Sequence, residues 1–280
     1  MTANGYLNKK EIEYVIDDAL ELFNKKFNTD YSRENIHFGF FNNRTFREVY
    51  ERFCTRYFPL WLREDYENPE FYIYTQASTF VEGSEYGILI NYTVKCNYGR
   101  WLCVILHELG HIHATTKEYN GNSFYRAFCE DDSPVENSRV MYDGYAMWRE
   151  FIAEYLAQVA LQEFDSVFLD ECVEKIVQWE YDVTGTDSIS LKGISMILAT
   201  ILTTIDYQEI SDWDSFAKRL GEIGWENYTL YLELIRLVYL RLKKLADKPY
   251  ALHEDFVYEI GCHVNDIAQV KQISGFLHQQ

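Results

Sequence analysis

Between residues 8 and 28 apolar side chains recur at Ile12, Val15, Ile16, Ala19, Leu20 and Phe23, with charged residues in the gaps. That spacing gathers them on one stripe of a 3.6-residue repeat and predicts an amphipathic helix. The pattern changes at "IHFGFF" (36–41), a short aromatic run that predicts a strand. "FREVYERFCTRYFPLWL" (46–62) returns to helical spacing until Pro59, which removes a backbone donor and breaks the helix. "FYIYT" (71–75) and "YGILINYTV" (86–94) are dense in β-branched and aromatic residues, with Glu82, Gly83 and Ser84 between them as a turn. Together they predict two adjacent antiparallel strands.

A helix over 98–115 follows directly, and residues 117–143 lack any sustained period and predict a long loop. From Gly144 onward helical spacing returns at 145–163, 166–182, 188–205, 212–222, 227–246 and 253–270. The fold class expected is therefore α+β. A part spanning 1–116 carries a small mixed or antiparallel sheet, and a mainly helical part spans 117–280.

Composition narrows the partners. Twenty-six basic residues stand against 44 acidic ones, a formal charge of −18. Such a surface repels phosphate backbones and anionic lipid, so neither nucleic acid nor a membrane surface is expected as a partner. No run approaches the ~18 consecutive apolar residues of a membrane span. The first 27 residues hold no uninterrupted apolar stretch of the secretory kind. Six scattered cysteines without a CxxC pair read as free thiols of a reducing compartment. A cytoplasmic protein is expected.

The chemistry concentrates in "WLCVILHELGHIHATT" (101–116), where an apolar helix carries His107, Glu108 and His111. Positions four apart share a helix face, so His107 and His111 present two imidazoles to a single ion. Glu108 is turned about 100° from His107, within reach of a water on that ion but poorly placed as a third ligand. This is the HExxH arrangement of two zinc ligands and a general base. Gly110 costs such a helix about 1 kcal/mol relative to alanine, which points to close packing beside the histidines. His113, turned about 200° from His111, reads as a helix-end residue.

Zinc requires a further protein ligand that this helix cannot supply. The extended HExxHxxGxxH pattern needs glycine at position 114 and histidine at 117, and the chain has Ala114 and Lys117. A carboxylate from a second helix remains. "MWREFIAEYLAQVAL" (147–161) places Glu150 and Glu154 four apart on one face, with Glu136 and Glu163 as other claimants. One of the pair can bind the ion while the other accepts a hydrogen bond from a ligand histidine.

"HELGH" followed by "EFIAE" resembles the gluzincin metallopeptidases, and "EFIAEYLA" resembles the corresponding segment of ImmA/IrrE-type metallopeptidases. The likeness covers about 60 residues. Glu154 stands where those families carry Asp or Asn, and the 38 residues between His111 and Glu150 exceed the spacing of compact members. The resemblance implies a zincin-like N-terminal part, Glu150 as third zinc ligand and Glu154 as a carboxylate behind the ligands. It also implies that the strand "YGILINYTV" pairs with an extended peptide substrate.

The function expected is zinc-dependent hydrolysis of peptide bonds in a peptide or protein substrate, with Glu108 as general base. Tyr145 is the named candidate for oxyanion donor, alongside Tyr142, His253 and His263. A di-iron bundle needs an all-helical core, whereas residues 71–94 read as strands. A zinc-containing regulatory or protein-binding scaffold without catalysis is the alternative.

Overall fold

The structure, a computed structural model, describes residues 6–64, 75–116, 119–130, 138–162, 195, 198–199, 202–203, 229–247 and 252–278. The chain divides into two units. The first comprises 1–113 together with 159–163, and the second comprises 114–158 with 164–280.

In the first unit, helix α1 (Lys9–Phe27) starts at Asn8, whose side chain accepts from Glu11 N. The Glu11 carboxylate in turn accepts from Asn8 N at 2.8 Å, a reciprocal cap that satisfies two orphan donors. The helix buries Ile12, Val15, Ile16, Ala19, Leu20 and Phe23, the stripe that the spacing predicts. It ends at Asn28 in the left-handed region (φ 52°), a conformation asparagine tolerates better than most residues.

Strand β1 (Ile36–Phe41) lies parallel to β3 (Glu85–Asn91), and β2 (Ala77–Glu82) lies antiparallel to β3, in the order β1-β3-β2. Gly83 and Ser84 close the β2–β3 hairpin, with Gly83 at φ 63° in the first central position, where glycine is accepted without strain. The turn lies at the expected residues, but its first strand sits at 77–82. The predicted strand 71–75 falls, but for Thr75, outside the described residues.

Helix α2 (Phe46–Tyr57) and the short α3 (Trp61–Glu64) supply the cover for one face of this sheet. Phe46, Tyr50, Phe53 and Phe58 pack there with Phe41, Phe80 and Leu89. Glycines on the sheet make room for these rings. A Cβ added at Gly87 would come within 2.5 Å of the Phe58 ring and 2.8 Å of Phe53. The opposite face, by strand alternation, carries Thr79, Tyr86, Ile88 and Ile90. Helix α4 (Tyr98–Ala114) meets that face through a hydrogen bond from Thr79 to Glu108.

The second unit is helical over its described residues: α5 (Gly121–Phe128), α6 (Ser138–Leu161), α7 (Thr229–Asp247) and α8 (Glu254–His278). The loop expected over 117–143 is corrected in two places. Residues 121–128 form α5, and α6 begins at Ser138, seven residues before the predicted start. The predicted helix at 227–246 corresponds to α7, and that at 253–270 extends to His278 in α8. Residues 166–182 and 212–222 lie outside the described residues, and of 188–205 only 195, 198–199 and 202–203 are described, all of them helical.

Helices α6 and α8 approach backbone to backbone. A Cβ at Gly144 would strike the Val257 carbonyl, and one at Gly261 would strike the Val140 carbonyl. The last three residues of helix α6, from Val159 to Leu161, are counted with the first unit. The fold is thus mixed α and β, mostly helical, with one small mixed sheet. No helix among the described residues is long and apolar enough to cross a membrane.

Two substitutions test the glycine contacts. Gly87→Val forces a branched side chain into the Phe53 and Phe58 rings and should lower unfolding free energy by about 1–3 kcal/mol. Gly261→Val should cost at least as much, because the atom in its path is a helix carbonyl that cannot swing aside. Urea denaturation followed by circular dichroism measures both.

Candidate metal centre

Helix α4 is apolar on nearly every side: Trp101, Leu102, Ile105, Leu106, Leu109 and Ile112 are all buried, as is Gly110. Within it His107 and His111 are each 4% exposed and Glu108 is 3% exposed. Burying a carboxylate and two imidazoles in such surroundings is unfavourable unless each is partnered. The helical repeat brings the two imidazoles together, edge to face, with ring centroids 4.6 Å apart.

Glu108 finds its partner on the sheet. The Thr79 hydroxyl lies 2.6 Å from Glu108 Oε2 and 3.1 Å from the Glu108 main-chain carbonyl. A hydroxyl carries one proton, and the 2.6 Å contact has the length of a donation to a carboxylate. Thr79 is itself buried. No signal in the sequence pointed to it, because a threonine in a strand is ordinary β composition.

A third carboxylate joins the histidines. One ligand atom from each of His107, His111 and Glu150 lies within 4.8 Å of the other two. Among the described residues this is the one group of three or more such side chains gathered so closely. Zinc bonds of about 2.0–2.2 Å set ligand atoms roughly 3.3 Å apart across a tetrahedral ion. Two imidazoles and a carboxylate are the right donor types for zinc.

The other candidates distribute as follows. Glu154, one turn beyond Glu150 on α6, is buried, and its Oε1 accepts from Gln158 Nε2 at 2.7 Å. Tyr145 sits in an aromatic nest with Phe124, Tyr125 and Trp148, at centroid distances of 6.0, 5.5 and 5.7 Å. Burial there pushes its phenol up to about 12, against a smaller opposing effect of Arg149. It lies five positions before Glu150, which turns it about 140° around α6. Tyr142 is exposed. His253 is exposed beside Asp255, and His263 is half-buried beside Asp266. Glu136 and Glu163 lie outside the described residues.

His113 belongs to the packing of α4. Its Nδ1 lies 3.0 Å from the Tyr31 hydroxyl, and its ring contacts Phe23 and Phe27. That placement agrees with a helix-end residue turned away from the neighbouring histidines. The strand implied to receive substrate is corrected. β3 occupies the centre of the sheet, with β1 on one side and β2 on the other, so both of its edges are already paired. β2 is the strand that touches Glu108.

No family model, curated protein or solved structure matches the chain.

Cys129 gives a test of the packing around Tyr145. The thiol is buried, and that burial pushes it from 9.0 up to about 12. Because the thiolate is the reactive species, iodoacetamide at pH 8 should modify native Cys129 at least about 100-fold more slowly than the urea-unfolded chain. Peptide mapping by mass spectrometry reads the rate.

Proposed function

We propose that this chain is a zinc-dependent metallopeptidase of zincin-like architecture, acting on a peptide or protein substrate. The observation that carries the reading is the gathering of His107, His111 and Glu150 beside a buried glutamate that is not one of the three. A purely structural metal site has no use for that fourth group, whereas hydrolysis requires a base next to an open ligand position.

His107, His111 and Glu150 would hold the ion. A zinc ion with three protein ligands keeps one position open, lowers the pKa of water towards ~7 and polarises a carbonyl. Glu108 would accept the proton of the attacking water and deliver it to the departing amine. The apolar flanks of α4 keep the two imidazoles and the carboxylate from swinging away, since each lies on a helix anchored by buried residues on either side. Glu154 is assigned to the support of α6 side chains near Glu150, where its bond to Gln158 already holds one oxygen. Tyr145 has a neutral phenol at physiological pH and is chemically able to donate, but its aromatic surroundings do not single it out for the oxyanion.

Metal analysis of the purified protein should find about one zinc per chain. Glu108→Gln should keep that zinc while lowering cleavage of a random decapeptide mixture by about 100-fold or more. Glu150→Ala should reduce zinc below stoichiometry. Cleavage that survives Glu108→Gln would falsify the assigned base, and full zinc retention in Glu150→Ala would move the third ligand elsewhere.

A further inference from the structure

The geometry points to Thr79 as the positioning residue of Glu108, one that divides the work between the two carboxylate oxygens. This inference deepens the peptidase reading and rests on it for its catalytic consequence, but not for the structural one. Among the described residues, Thr79 is the one hydrogen-bond partner of the Glu108 side chain. Its hydroxyl donates to Oε2 at 2.6 Å and also lies 3.1 Å from the main-chain carbonyl of the same residue. One hydroxyl therefore bridges the two ends of a single glutamate, which defines the rotamer of that side chain. Oε2 is engaged, and Oε1 accepts no hydrogen bond from a described residue. Oε1 is thus the oxygen left to take a proton from water, and Oε2 is the oxygen that keeps the group aimed.

The location of Thr79 supports a dedicated role. It stands on β2, opposite Ile88 of β3, on the sheet face that carries apolar Ile88 and Ile90. A valine at that position would fit the strand and the apolar face as well or better. A buried threonine hydroxyl aimed at a buried carboxylate is instead a polar pair placed within an apolar layer, in which each member justifies the other. The link also explains why the base is held by the sheet. Glu108 shares α4 with both histidines, but the direction of its carboxylate is set from β2, a separate element.

Two variants and two readouts test this. In the metal-free protein, a hydroxyl proton donated to a buried carboxylate exchanges slowly and gives a resolved downfield proton resonance. That resonance should be present in the wild type, absent in Thr79→Val, and lost or shifted strongly upfield in Glu108→Gln. A spectrum unchanged by Glu108→Gln, or showing no such resonance in the wild type, overturns the bond itself, whatever the protein does to peptides. In the zinc-loaded protein, Thr79→Val should lower kcat on the decapeptide mixture by roughly 10-fold to 100-fold, with KM, zinc content and melting temperature close to wild type. Thr79→Ser should restore most of the rate, because it returns the hydroxyl.

A Thr79→Val enzyme with wild-type kcat overturns the positioning role. Equal losses of rate, zinc and stability in the valine and serine variants also overturn it, by showing that Thr79 serves packing alone. If the wild-type protein loaded with zinc cleaves nothing, the peptidase reading fails while the resonance still decides the Thr79–Glu108 bond. The two failures are therefore distinguishable.

Discussion

A carboxylate flanked by imidazoles inside an apolar helix needs partners, and the surroundings of α4 follow from meeting that need. Left unpaired, an ionised group in such a place would cost several kcal/mol, a large share of the stability of any domain. Thr79 answers it for Glu108, with a short bond from the facing strand. One ligand atom of Glu150 lies within 4.8 Å of one from each of His107 and His111. Tyr31 answers the same need at the end of the helix by reaching His113. Each polar residue of "HELGHIH" thus has a role set by what faces it.

The sheet beneath α4 is built by a complementary device. Aromatic residues make up 17% of the chain, and rings of this size need flat surfaces to lie on. Gly39 and Gly87 provide one by removing side chains from β1 and β3, and the rings of Phe53 and Phe58 occupy the space. That packing holds one face of a three-stranded sheet firmly, which leaves the other face free to serve α4. In the helical unit glycine does a different job, since Gly144 and Gly261 let two helix backbones meet where any side chain would separate them.

Much of this was legible from residue patterns. The stripe Ile12, Val15, Ile16, Ala19, Leu20 and Phe23 is buried as its spacing predicts, because a regular period leaves a helix few alternatives. The β2–β3 turn was legible for the same kind of reason, since Gly83 is one of few residues that takes φ 63° without strain. For the strand before it, "FYIYT" has the stronger β composition, yet "ASTFVE" (77–82) is the segment that pairs with β3. Composition measures fit to a pleated surface but does not choose which residues pair. Residues 121–128 carry no helical signal in the sequence, because an eight-residue helix rich in Gly, Asn and Ser at its start has little propensity.

The local chain determined the part of the candidate centre that a helix can determine by itself. Two histidines four apart must share a face, and a glutamate one step on must sit beside them. The same periodicity also turned His113 away. What tertiary structure decided was everything that depends on a second element meeting that face: the gathering of Glu150 with the histidines, Thr79 as the partner of Glu108, and the central position of β3 with both edges paired. Thr79 and Glu108 lie 29 positions apart and Glu150 lies 43 beyond His107, and no short-range period constrains either. They exist because burial of the apolar surfaces brings whole elements together, and only then does a threonine in an ordinary strand come to face a glutamate in an unusual helix.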